Sequence, residues 1–149
     1  MAKFRFRLAT LRKLREAHRD EVRGKLAEAY QAAQMLEEQQ IALGEELFSL
    51  QTTQREYASQ GTTNVNRLLE AQRYQAVLRA QQATLKDQAS VLATEVERRR
   101  QNVVEADRQV RVLDKLHDHQ QEQHQQEASR REMKELDEVA LRVKGVNRT

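Results

Sequence analysis

The 149-residue sequence contains no cysteine, no proline and no tryptophan, only four glycines, and 4% aromatic residues. Without cysteine there is neither a disulfide framework nor a thiolate metal site, which fits a reducing compartment. With few aromatics and a mean hydropathy of −0.91, the chain lacks the material for a large compact core. No apolar run approaches the roughly 20 residues needed to cross a bilayer. The basic start, Met1-Ala2-Lys3-Phe4-Arg5-Phe6-Arg7, has no apolar centre of the signal-peptide kind. These features read as a cytoplasmic protein, in which the triplet Asn147-Arg148-Thr149 carries no meaning as a glycosylation site. The scarcity of proline and glycine excludes disorder, because disordered chains favour both and lack regular apolar spacing.

What is present is heptad-spaced apolar residues in two long segments. The segments are separated by the polar break Ser59-Gln60-Gly61-Thr62-Thr63-Asn64. The first seam reads Val22, Leu26, Ala29, Ala33, Leu36, Gln40, Leu43, Leu47, Leu50, Gln54, Tyr57. The second reads Leu68, Ala71, Gln75, Leu78, Gln82, Leu85, Ala89, Leu92, Val96, Arg99, Val103, Ala106, Val110, Leu113. Steps alternating three and four are those of a coiled-coil seam. The pattern predicts an all-α fold, a long antiparallel two-helix coiled-coil hairpin forming one unit over residues 1–149. Helix one spans about 6–57, the turn about 58–64 with an N-cap at Asn64 or Thr63, and the longer helix two about 65–144.

Folding about residue 60 or 61 sets Leu43 against Leu78, Leu36 against Leu85, Ala29 against Leu92 and Leu26 against Val96. Gln40 then falls opposite Gln82, a pair that would fix register from inside the seam. The paired length is about 80 Å at ~1.5 Å per residue. At the open end the stripes change phase. Phe4, Leu8, Leu11 and Leu14 require either a slip near residues 16–20 or a helix end that faces something else. After the apolar-free stretch from His117 to Glu127, a last stripe of Met133, Leu136, Ala140 and Val143 lies on an overhang of about 30 residues at ~1.5 Å each. That overhang has no partner within the hairpin.

The net charge is +3, from 26 basic and 23 acidic residues. Basic residues cluster at the start, at Arg98-Arg99-Arg100 and near the C-terminus. Acidic residues are interleaved along most of the chain and no base-stacking platform is evident, so solvated faces and acidic protein partners are favoured over nucleic acid. The histidines are the only metal or acid–base candidates. His117, His119 and His124 lack the i, i+4 spacing of a helical zinc site and read as solvated. No phosphate loop, nucleophile elbow or carboxylate pair appears. The sequence therefore reads as a non-enzyme with no cofactor. Tyr57 and Tyr74 flank the break, either plugging the end of the seam or presenting an aromatic interface.

Three stretches resemble the flagellar FliJ family of the type III flagellar export apparatus. They are Phe6-Arg7-Leu8-Ala9-Thr10-Leu11-Arg12-Lys13-Leu14-Arg15-Glu16, the tip residues Leu50, Tyr57, Tyr74 and Leu78, and Arg131-Glu132-Met133-Lys134-Glu135-Leu136-Asp137-Glu138-Val139-Ala140. The resemblance covers nearly the whole chain. It implies a non-enzymatic stalk, similar to the γ stalk of rotary ATP synthases, that binds the export ATPase FliI and the export-gate protein FlhA and escorts export chaperones. Carried over by position, Leu50, Tyr57, Tyr74 and Leu78 would face the gate. Leu8, Leu11, Leu14, Met133, Leu136, Asp137 and Val143 would enter the ATPase ring. Thr53 departs from the family, which can carry another aromatic there. The resemblance further implies a monomer when isolated, held at the membrane only through protein partners. A generic coiled-coil adaptor or dimer and an injectisome stalk are the competing readings.

Overall fold

The computed structural model describes residues 2–61 and 64–147. Two helices make up the fold, α1 (Ala9–Ser59, 51 residues) and α2 (Val65–Val146, 82 residues). They run antiparallel, so the fold is the all-α two-helix hairpin with the longer second helix that the heptads specify. Each boundary has a local cause. At the end of α1, Gln60 N–H donates to the Glu56 carbonyl at 3.2 Å, and Ser59 Oγ donates to the same carbonyl at 2.8 Å. Gly61 follows with φ of 71°, the left-handed conformation that closes a helix and that any side chain would strain. At the start of α2, Asn64 Oδ1 accepts from the Asn66 N–H at 3.1 Å, so Asn64 is an N-cap. Thr63, the other candidate cap, lies outside the described residues.

The chain divides into two compact units. One is Glu21–Val103 and the other is Met1–Asp20 with Val104–Thr149. Within Glu21–Val103 the expected seam is the packed one. Val22, Ala29, Leu43, Leu47 and Leu78 are buried, and Leu43, Leu47 and Leu78 form one cluster flanked by Leu50 and Leu85. Leu26, Ala33, Leu36, Ala89, Leu92 and Val96 are half-buried. This is the pattern of a seam covered from one side only. Arg99 occupies a seam position without leaving its charge unanswered. Its Nη1 donates to the Lys25 carbonyl of α1 at 2.6 Å and its Nε to Glu95 Oε1 at 2.9 Å. Arg98 also binds Glu95 through two hydrogen bonds, at 2.6 and 3.0 Å. Flanked by these two guanidiniums, the Glu95 carboxyl is held down to about 2.

The glutamine layer departs from expectation. Gln40 is half-buried but Gln82 is exposed, and the two border a shallow surface depression with Arg79, Ala83 and Lys86. A glutamine that can reach water gains little from entering a narrow apolar seam, so register rests on the leucine cluster instead.

In the second unit, Ala106, Val110 and Leu113 of α2 are buried. Facing them, Leu8, Leu11, Arg12, Arg15 and Arg19 are half-buried, while Leu14 is 66% exposed. The expected phase slip is thus a misreading of which residues form the stripe. Leu8, Leu11 and Arg15 step by three and four, and Arg15 stands one heptad before Val22 in the sequence. Arg15 fills a seam position because its long stem packs while its Nη1 donates to Gln109 Oε1 at 2.7 Å. Arg12 Nη1 lies 3.9 Å from Asp114 Oδ1.

Candidate partner-binding surfaces

At the start of the chain, residues 2–6 are not helical. The reason is aromatic packing. Phe4 sits 5.6 Å from the ring centres of both His117 and His124, and Phe6 sits 5.0 Å from His117, edge to face. The Arg12 guanidinium lies over the Phe6 ring at 5.9 Å. The two histidines are seven residues apart on α2, about 10 Å at 1.5 Å per residue, so a single extended phenylalanine can bridge them. His117 and His124 are therefore packing residues, half-buried with Gln120 and Ala128, and not the solvated side chains that their spacing suggested. The overhang is correspondingly shorter than expected, since Phe4 reaches as far as His124. Replacing Phe4 and Phe6 together by alanine removes edge-to-face contacts worth about 0.5–1.5 kcal/mol each beyond area. Histidine ring proton shifts of His117 and His124 should move to random-coil positions, while those of His119 should not. Unchanged His124 shifts would refute the clasp.

From residue 129 to 147 every side chain is exposed. Met133, Leu136, Asp137 and Val143 all lie in this stretch, joined by the exposed Val139, Leu141 and Val146. Of the other residues placed at this end, Leu8 and Leu11 are half-buried against α2 and only Leu14 projects. The uncovered surface at this end is thus the α2 extension; Leu14 is exposed apart from it, since its neighbours Arg12 and Arg15 meet Asp114 and Gln109, well before the extension begins.

At the turn, the four expected residues separate into different environments. Tyr57 is exposed and borders a cavity of about 540 Å³ together with the half-buried Leu50. Tyr74, also exposed, donates its hydroxyl to Glu46 of α1, and that bond to a carboxylate raises the phenol above its usual range. Tyr74 therefore ties the two helices together through its hydroxyl while remaining on the surface. Leu78 is only 3% exposed and belongs to the core cluster. It shapes the surface from below. Sequence reasoning missed Phe48, which is 71% exposed on α1. A large aromatic off the seam of a polar helix was its visible signal. It also missed the exposed Val65, Leu69 and Val77 near the start of α2.

Among the described residues, no cluster of histidine and carboxylate side chains could hold a metal ion, and no helix is long and apolar enough to cross a membrane.

A helical hairpin with a packed leucine seam, exposed aromatics near its turn and an exposed C-terminal helical extension is the build of a stalk-type protein. The chain belongs to the flagellar FliJ family: the family model for the flagellar FliJ protein matches residues 4–148. Members of this family are non-catalytic, all-helical stalk-type proteins related to flagellar export. Neither the search of curated proteins nor that of solved structures returned a match.

Proposed function

We propose that this chain is a cytoplasmic stalk of the flagellar type III export apparatus, coupling the export ATPase FliI to the export-gate protein FlhA and escorting export chaperones. Family membership over residues 4–148 carries this reading. The division of labour is carried over by position from the family resemblance, and the exposure of residues at the two ends supports it. The tip surface of Leu50, Tyr57 and Tyr74, resting on Leu78, meets the gate. The α2 extension, through Met133, Leu136, Asp137 and Val143, enters the ATPase ring, and Leu14 is a separate exposed contact for it. The two ends suit different partners. The tip offers fixed aromatics, which bury large area at low entropic cost. The extension offers an uncovered apolar stripe flanked by Arg130, Arg131, Lys134, Arg142 and Lys144. Nucleic acid is not a partner in this scheme, and the membrane is reached only through proteins.

The test is a quantitative pull-down against the cognate ATPase and the gate's cytoplasmic domain. Tyr57→Ala combined with Tyr74→Ala should weaken gate binding by roughly 30-fold or more, the loss of two interface tyrosines at ~1 kcal/mol or more each. ATPase binding should be spared. Equal loss of both partners would refute the assignment of the tip to the gate.

A further inference from the structure

The cavity at the turn contains an unanswered polar group. Leu50, Gln54, Tyr57, Ala58, Gly61, Leu68 and Ala71 line it, with Arg67 at its edge, and its volume of about 540 Å³ falls within the range of built ligand sites, ~300–1,000 Å³. It exists because the seam changes composition here. Gln54 stands where the preceding layers carry leucine, and Ala58, Gly61 and Ala71 are too small to fill the space that remains. The Nε2 of Gln54 is buried and has no hydrogen-bond acceptor. A buried N–H without a partner loses its water and gains nothing in return, so in native proteins it marks a place where another group belongs. Among the described residues Arg67 is the only charged one lining the cavity, and no carboxylate is paired with it. One wall is thus apolar, and both the orphaned donor and the lone cation ask for an oxygen.

We propose that this cavity seats a short segment of the protein that docks at the tip, taking one apolar side chain against Leu50, Leu68 and Ala71. A carbonyl or carboxylate oxygen of the segment is received by Gln54 and Arg67. The recognised chemistry is an apolar residue next to an acidic one. An apolar anchor alone would leave Gln54 unpaired, and a basic segment would meet Arg67. The inference rests on the reading of the tip as the gate-facing surface and deepens it by naming what the partner must offer.

The full chain, isotopically labelled, is titrated with phenylacetate, phenylacetamide and phenethylammonium while backbone and glutamine side-chain amides are followed by NMR. Phenylacetate should shift the Gln54 side-chain amide and the backbone amides of Gly61 and Ala71. Phenylacetamide should bind roughly tenfold more weakly, as expected on losing one charged hydrogen bond, and phenethylammonium should not bind. Ala71→Leu, which fills the cavity with a good helix former, should abolish the shifts and leave the far-UV circular dichroism unchanged. Gln54→Leu should weaken phenylacetate binding, and Gln54→Leu combined with Arg67→Ala should remove the preference for an oxygen-bearing probe. No shift with phenylacetate, or equal shifts with the ammonium compound, would overturn the inference. Ala71→Leu is also carried into the gate pull-down. Loss of gate binding there supports the cavity as the partner's seat. Full gate binding by a variant that no longer takes phenylacetate overturns it while leaving the tip assignment standing. A wild-type chain that takes the fragment but never captures the gate sinks the functional reading instead.

Discussion

Leu78→Ala should destabilise the hairpin by about 2–4 kcal/mol, the largest effect expected of any single side chain. The side chain is 3% exposed and packs against Leu43 and Leu47 from the opposite helix, with Leu50 and Leu85 at the margins. A two-helix seam has no third layer, so there is little surrounding structure to collapse into the space that the lost isopropyl group leaves behind. A fully enclosed core could cost more, because part of the Leu78 environment is only half-buried. The measurement is urea unfolding followed by far-UV circular dichroism, with Leu14→Ala as the control. Leu14 is also a leucine on a helix of this hairpin, but it is exposed, so its loss should fall within about 0.5 kcal/mol. Equal losses at the two positions would mean that burial does not decide stability here. The result also governs how binding data at the tip are interpreted. A Leu78 variant that loses the gate has lost it through the fold beneath the surface, whereas Tyr57 and Tyr74 can be truncated without opening the core.

The seam was legible because heptad spacing reports directly on which residues can face a neighbouring helix. Leu43 against Leu78, the break around Gly61 and a cap at Asn64 or Thr63 all follow from residue type and position alone, and the structure shows Asn64 as a cap. Two of the errors share one cause, which is that polarity was taken as a proxy for exposure. Arg15, like the Arg99 that spacing had placed in the seam, packs a long apolar stem while its guanidinium finds a polar partner. His117 and His124 are half-buried because two phenylalanines from a non-helical segment reach them, a contact that no helical periodicity encodes. Gln82 shows the converse, a residue with the right spacing that turns to water because water is within reach. At the tip, spacing placed Leu50, Tyr57, Tyr74 and Leu78 together. It could not say that Leu78 lies beneath the surface or that Tyr74 is tied to Glu46. The cavity was invisible for a related reason, since Gln54 looks like an ordinary seam residue until its amide is found without an acceptor.

Cutting the chain after Ala128 should separate stability from partner binding at the other surface. The residues removed are all exposed where they are described, so the melting temperature should move by no more than about 1–2 °C, the response to a loss well under 1 kcal/mol. The apolar stripe removed with them is a different matter. Met133, Leu136 and Val143, spaced to share a helix face, are worth roughly 1.5–3 kcal/mol each if a partner buries them completely. Even after the costs of association, losing all three should weaken ATPase binding at least ~100-fold. Gate binding should survive, because the tip lies in the Glu21–Val103 unit, which the cut does not enter. Leu136→Asp in the full chain offers the same test without a deletion, since an aspartate in an apolar contact leaves a charge without water or a partner. Two outcomes would sink the assignment of the extension to the ATPase. One is full ATPase binding by the truncated chain. The other is a melting temperature lower by several degrees, which would show that the extension supports the hairpin itself and that its apolar stripe serves stability before any partner arrives.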